Sequence, residues 1–297
     1  MTDSNKNNEE IFSGLESLGF DNINGIEIFK KETSETKNQI KNLDDTEKQL
    51  SMLYNKEITC PVCGNSFKAR AVKISAPRVI KKDSDFFLRH DNINPYFYDV
   101  WLCNVCGYAA MKVDFEKIKN YQIKMIKESI STKWTGKVYP DTYDINIAIE
   151  RYKLSLLNYV VMESKASAKA MNCLKLAWMY RLIENSNQEN IFMKKALEGF
   201  NQAYYNEDFP IYGMHRYTTM YLIGELNRRT ENYEQSLLWF SKVITTPSVP
   251  QKIKDMARDQ RDIIKSSTGA KSEAEDLEKN ATLESKHKKG IFSFLFK

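Results

Sequence analysis

The sequence predicts an α+β fold that is mostly α, with a small β module before a longer α-helical repeat domain. Three observations predict it. Two Cys-x-x-Cys-Gly motifs lie beside strand-like residues between 51 and 113. Helical periodicity takes over after Asp114. Two later helical stretches align with each other, which is typical of stacked helical repeats.

Composition divides the 297 residues into five predicted segments. They are an acidic, flexible leader at 1–50, a cysteine-containing β module at 51–113, a connecting helix and loop at 114–143, a helical domain at 144–266, and a flexible linker with a basic and apolar tail at 267–297. The leader holds eleven Asp/Glu against six Lys/Arg, so the remainder of this chain of net charge +5 is basic. The polar N-terminus and the lack of a long apolar run predict a cytoplasmic protein.

Four cysteines in two close pairs predict one metal site. The pairs are Cys60/Cys63 and Cys103/Cys106. In a reducing compartment, pairs at this spacing bind a metal rather than form disulfides. Four thiolates make the closed tetrahedral set of a structural site, so we expect one Zn²⁺ in a zinc-ribbon-like module. Iron is the alternative ion, since rubredoxin uses a similar pair of turns.

A basic stretch lies between the two cysteine pairs, because residues 58–82 contain no acidic residue. Its candidate polyanion contacts, within 66–82, are Lys68, Arg70, Lys73, Arg78, Lys81 and Lys82. Six aromatic residues follow between 86 and 101. Basic residues beside aromatics suit single-stranded nucleic acid. The sequence favours the other interpretation, in which the aromatic rings form the core of the module and the Lys and Arg side chains form its solvent-exposed face.

Two helical stretches align with each other, with about seven extra residues between the helices of the first copy. The matched pairs are Ala177 with Gly224, Ala196 with Ser236, Phe200 with Phe240, and Ala203 with Val243, and both copies end at a proline, Pro210 and Pro247. This pattern resembles the tetratricopeptide repeat, in which small residues let paired helices approach. Helices at 145–163 and near 250–266 would complete the stack. Asp144 and Ser164 are the predicted N-caps of the helices that start at Ile145 and Lys165. A plain helical bundle without a groove is the alternative.

The cysteine motifs and the helical segments together resemble a bacterial family, domain of unknown function 2225. The matching stretches are LYNKEITCPVCGNSFK, NPYFYDVWLCNVCGYAA, LAWMYR and YLIGELNRR, within residues 52–266. The resemblance supports the four cysteines as ligands and the helical-repeat interpretation. It implies no catalytic residue.

The C-terminal tail joins a basic cluster to five large apolar side chains. Its candidate contact residues are Lys288, Lys289, Ile291, Phe292, Phe294, Leu295 and Phe296. Such a tail can bind an anionic membrane surface weakly and reversibly, or tether a partner. The alternative is a segment that folds back onto the helical domain.

These observations predict a non-enzymatic zinc-binding adaptor or scaffold that binds protein partners through a helical-repeat surface. We expect no catalytic residue and no small-molecule substrate, because no nucleophile motif or phosphate-binding glycine loop is present. The alternative function is a zinc-ribbon protein that binds nucleic acid through residues 66–82. The tail adds an expected peripheral contact with the membrane.

Overall fold

A computed structural model of the chain describes residues 43–267, so most of the predicted leader and nearly all of the predicted tail lie outside the described residues. Two compact units divide the chain between Asp208 and Phe209. Helices predominate and the strands form short antiparallel hairpins, which confirms the predicted α+β, mostly α fold. The domain bounds proposed from composition stay predictions.

Within the described residues, the first unit starts with helix α1 (Leu43–Ser51), which three two-stranded antiparallel sheets follow. Strand β1 (Leu53–Thr59) pairs with β2 (Ser66–Val72), β3 (Val79–Lys82) with β4 (Leu88–His90), and β5 (Val100–Leu102) with β6 (Ala109–Met111). The first and third hairpins each carry a cysteine pair in the turn. The second hairpin is the insertion that separates the two pairs along the chain.

The helices of the first unit follow the third hairpin. They are α2 (Asn120–Ile126), continued by a π-helical turn at Lys127–Ser131, and then α3 (Ile145–Val161), α4 (Ala166–Leu182) and α5 (Ser186–Asn206). Helix α4 is buried on nearly every side. Apolar residues around its whole circumference explain this position, because such a helix is stable only when it is surrounded by other elements.

The N-termini of α3 and α4 are capped in different ways. The Asp144 carboxylate accepts the N–H of Ile147 at 2.9 Å, so the predicted cap of α3 is confirmed. The predicted cap of α4 at Ser164 is wrong. Instead, the carboxylate of Glu207 accepts the N–H of Ser167 at 2.9 Å. Glu207 follows the end of α5, so this cap comes from the tertiary fold and not from the local sequence.

The second unit contains α6 (Arg216–Arg229), α7 (Tyr233–Thr245) and a helix α8 at 251–267. Gly224 allows α6 to approach α7, since a Cβ there would lie 2.8 Å from the Phe240 ring. The Ser236 hydroxyl also donates to the Gly224 carbonyl at 2.8 Å. Small residues at the matched positions therefore permit close helix packing. The tetratricopeptide comparison itself stays a prediction.

None of the helices in the described part of the chain has the length and hydropathy needed to span a bilayer.

Candidate metal centre

The four cysteines predicted as ligands come together between the turns of the first and third hairpins. All four Sγ atoms lie within 4.8 Å of one another. The Sγ atoms of Cys60 and Cys106 are 3.6 Å apart, as are those of Cys63 and Cys103. Zn–S bonds of about 2.3 Å in a tetrahedron imply sulfur–sulfur distances of about 3.8 Å. The cluster therefore fits one metal ion.

Both cysteine turns have the same backbone geometry. In each, the N–H of the first cysteine donates to the carbonyl five residues later, and the N–H of the closing glycine donates back to the first cysteine, all at 2.9 Å. The glycines, Gly64 and Gly107, have φ of +76° and +73°, a left-handed conformation that disfavours any residue with a Cβ. The repeated Cys-x-x-Cys-Gly pattern therefore encodes two equivalent turns.

The thiols are too crowded to ionise independently. The hydrogen bond with Cys103 and burial raise the pKa of Cys60, and hydrogen bonds with Cys103 and Cys60 also raise the pKa of Cys106. The hydrogen bonds that Cys103 accepts from Cys106 and Cys60 hold its pKa well below the usual value of a thiol. A bound cation would balance four thiolates at this distance, since a metal deprotonates the thiols that coordinate it.

The two cysteine turns differ in what surrounds them. Cys103 and Cys106 are buried, whereas Cys63 is exposed. A Cβ placed on Gly64 would meet nothing within 4 Å, but one on Gly107 would lie 2.7 Å from Cγ of Trp134. The glycine side of the second turn is thus covered by Trp134, whereas that of the first turn is open; Asn104 and Val105 of the second turn remain exposed.

Side chains after α2 hold the second cysteine turn. The Ser131 hydroxyl donates to the Cys106 carbonyl at 2.8 Å, and Trp134 Nε1 donates to the Asn104 carbonyl at 2.8 Å. From α3, Asn158 Nδ2 donates to the Gly107 carbonyl at 3.4 Å. The sequence reasoning missed these residues, because nothing in their spacing relates them to the cysteines.

Helix α3 also holds the third hairpin through buried polar contacts. Arg151 Nη2 donates to the Val100 carbonyl at 2.6 Å. Tyr159 accepts the N–H of Met111 at 3.0 Å and donates to the Asp114 carboxylate at 2.8 Å. The second pair of ligands is therefore fixed to the helices of the first unit.

Asp99, just before β5, is almost fully buried and forms ion pairs with Lys175 and Lys112. Burial alone would raise the pKa of Asp99. The two lysines outweigh burial and hold that pKa below its usual value. Lys175 belongs to α4, so this ion pair ties the start of the third hairpin to the central helix.

The six cations predicted as polyanion contacts lie on two separate hairpins and in the segment that joins them. Lys68, Arg78, Lys81 and Lys82 are exposed, and Lys82 Nζ lies 4.7 Å from the centre of the Phe86 ring. Arg70 is half-buried and pairs with Asp141. Lys73 is exposed but donates to the Ser51 carbonyl at 2.7 Å. The structure does not bring all six together into one patch.

The aromatic residues near these cations are largely used inside the module. Phe87, Tyr98 and Trp101 are buried, and Phe86, Tyr96 and Phe97 are half-buried. Few faces therefore remain on which a nucleic-acid base could stack. The tail residues predicted to contact a membrane or a partner, from Lys288 to Phe296, lie outside the described residues.

The family comparison follows the chain through both units. Residues 53–264 match the family described as "Uncharacterized protein conserved in bacteria (DUF2225)". The chain belongs to this family. An uncharacterized protein of Borreliella burgdorferi is 23% identical over 50% of this chain and 62% of its own length. The match thus covers less than two thirds of that relative's length. No solved structure matches the present chain.

Proposed function

We propose that the chain is a non-enzymatic adaptor in which one structural Zn²⁺ joins the two cysteine hairpins and the helices dock protein partners. The four-thiol cluster carries the proposal. Four thiolates fill a tetrahedral coordination sphere, as in structural zinc sites, whereas a catalytic zinc keeps one open position for water or substrate. Cys60, Cys103 and Cys106 are also buried, which limits access to the ion.

Metal analysis of the purified full chain tests the metal part of the proposal. We expect one zinc ion per chain in a colourless protein. A red protein with visible absorption and stoichiometric iron would overturn zinc, because four thiolates also suit iron. A chain that folds fully without metal would overturn the structural role.

The proposed docking surface is the outer side of the helical pairs. In α7, Ser236, Phe240 and Val243 face α6 and are buried, and Leu238 is left 58% exposed. Helical repeats bury one face against their neighbours and use the remaining surface for partners. Leu238 therefore offers an apolar anchor beside polar residues.

Crosslinking in cells, followed by mass spectrometry, tests this surface. We expect the full chain to crosslink a defined protein set, and Leu238→Glu to lose it. Gln235→Glu is the matched control, because it adds the same charge at an exposed position on the same helix. Equal recovery with both variants would show that α7 is not the docking surface.

Nucleic-acid binding through residues 66–82 is the second candidate function, supported by the exposed cations Lys68, Arg78 and Lys81. It requires an affinity for single-stranded DNA that falls steeply as the salt concentration rises. Fluorescence anisotropy with a labelled oligothymidine measures this dependence. No binding at low salt would remove this candidate.

Peripheral membrane contact is proposed for Lys288, Lys289 and the apolar residues that follow them. Co-sedimentation with anionic vesicles, with and without residues 287–297, tests it. We expect less sedimentation after the deletion, since the basic and apolar side chains supply the attraction. Equal sedimentation of both chains would end the membrane proposal.

A further inference from the structure

The second hairpin, β3–β4, combines an exposed strand, β3, with a buried turn at residues 83–87. All four residues of β3 are exposed, including Val79 at 51% and Ile80 at 61%. Ile74, in the segment before it, is fully exposed. Exposed aliphatic residues on an edge strand favour association with another strand, and proteins usually avoid them.

Within the described residues, only β4 pairs with β3. One edge of β3 therefore presents backbone N–H and C=O groups that no strand of the described chain takes up. An extended peptide can add to such an edge as a new strand, with affinity from main-chain hydrogen bonds and specificity from alternate side chains.

A buried ion-pair network holds the turn of this hairpin. Asp85 is fully buried and accepts hydrogen bonds from Trp178 Nε1 at 3.0 Å and Arg181 Nη2 at 2.6 Å. Asp83 accepts from Arg89 Nε at 3.0 Å and from Arg181 Nη1 at 3.0 Å. These bonds fix the hairpin to α4, at a considerable cost in desolvated charge.

An aromatic contact adds to this anchorage. The Phe87 ring stacks on Trp178 of α4 with centroids 5.2 Å apart and planes inclined by 20°. The hairpin is thus held firmly at its turn, while the side chains of β3 are exposed to solvent. A binding strand held in a fixed conformation loses little entropy when a ligand binds, which favours affinity.

The charge around β3 selects the ligand. Arg78, Lys81 and Lys82 are exposed on or beside the strand. Asp91, whose N–H donates to the Arg78 carbonyl at 3.0 Å, is an exposed acid at the same end of the hairpin. The edge is therefore predominantly positive, and complementary charge favours an acidic ligand.

We propose that the β3 edge binds an extended acidic peptide segment of a partner protein by β-strand addition. Ile80 and Lys81 are consecutive residues whose side chains point to opposite faces of the strand, so glutamate side chains would pair with Lys81 on one face and aliphatic side chains would cover Ile80 on the other. The exposed aliphatic residues Val79 and Ile80 favour a peptide over a single-stranded nucleic acid, whose bases stack on aromatic faces, because half of the nearby rings are buried and the others are half-buried. This site goes beyond the proposed helical docking surface.

Fluorescence anisotropy with the full chain tests the proposal. The probe is a labelled synthetic octapeptide of alternating Glu and Val. We expect saturable binding, a loss of about tenfold in Lys81→Glu, and little change in Lys68→Glu, because charge reversal acts mainly at the contact. Lys68→Glu makes the same charge change on a different hairpin. Both positions are exposed, and thermal unfolding checks that both variants fold.

A second probe separates strand addition from simple charge attraction. The same peptide with alternate backbone nitrogens methylated keeps its charge and loses half of its hydrogen-bond donors. Loss of binding to this probe supports strand addition. Equal binding of both probes, equal effects of the two lysine variants, or no binding of the first probe would each overturn the proposal.

Other occupants of the edge give distinct results. If only a chain lacking residues 1–42 binds the probe, the acidic leader occupies the edge and the proposed partner peptide is wrong. Self-association that Lys81→Glu abolishes would identify a second copy instead. Oligothymidine that displaces the peptide would identify nucleic acid. None of these results depends on Leu238, so failure here and failure of the helical docking surface are distinguishable.

Discussion

The two cysteine turns have the same sequence pattern and the same backbone hydrogen bonds, yet they differ in how the rest of the protein holds them. The turn of Cys60 and Cys63 closes a hairpin that leaves Cys63 and Gly64 exposed. The turn of Cys103 and Cys106 is covered on its glycine side by Trp134 and held by Asn158 of α3. The local motif therefore determines the conformation of the turn, but not which other parts of the protein contact it.

This difference suggests that a bound metal joins an open hairpin to one already fixed to the helices. A structural zinc contributes an apparent ~10–16 kcal/mol to folding in small modules. Because Asn158 of α3 contacts the second turn, a bound metal would also stabilise α3. The following predictions test this asymmetry, from the largest expected effect to the smallest.

The largest effect is expected from removing a ligand. Cys106→Ser should release the metal and reduce amide-exchange protection in both cysteine hairpins and in α3, because Cys106 lies in the turn that Asn158 of α3 contacts. Cys63→Ser should weaken metal binding but spare α3, since water can reach the exposed position. Metal content and hydrogen exchange of the two variants measure this. Equal loss of protection in α3 would break the comparison.

Removing the Trp134 ring should come next. Trp134→Ala should lower the free energy of unfolding by about 3–5 kcal/mol, because it leaves a cavity against Gly107. Trp134→Phe keeps much of the packing and removes the hydrogen bond to Asn104, which contributes about 1 kcal/mol. Chemical denaturation of both variants gives the values. A small effect of alanine would mean that the second turn does not rely on this ring.

The two glycines form a matched pair. Gly64→Ala should cost about 1–2 kcal/mol for a left-handed backbone conformation at an open position. Gly107→Ala should cost about 1–3 kcal/mol more, because its Cβ collides with Trp134. Thermal unfolding of the two variants measures the difference. Equal costs would show that Trp134 moves aside freely.

The smallest effect concerns single hydroxyl groups. Ser131→Ala should cost about 1 kcal/mol, because it removes the hydrogen bond to the Cys106 carbonyl. Thr59→Ala, which removes an exposed contact with Ser66 before the first turn, should change stability very little. Denaturation midpoints of the two variants test this. A larger effect of Thr59→Ala would reverse the asymmetry.

Local sequence patterns were enough to predict the cysteine turns, the cap at Asp144 and the matched helices. Each depends on residues a few positions apart, whose backbone conformations limit the outcome strongly. Local patterns could not predict the cap of α4, because Glu207 lies 40 residues from Ser167 in the sequence. Arg181 and Asp85, 96 residues apart, form a buried ion pair for the same reason.

The sequence also could not predict which Lys and Arg side chains of the basic stretch form ion pairs. Arg70 and Lys73 belong to one basic stretch of sequence with Lys81, but the fold gives Arg70 an ion pair with Asp141 and leaves Lys81 exposed on β3. Charge counts along a chain do not reveal which charges become paired. Contacts between hairpins and helices decide that.

By itself, the sequence determined the four-thiol cluster, the family and the mostly helical fold, because short-range spacing and periodicity encode turns, ligands and helices. Only the tertiary structure decided that Trp134, Ser131 and Asn158 hold one cysteine turn and that the glycine side of the other is open. Packing brings together residues that are distant in the chain, and neither spacing nor periodicity records which of them will meet.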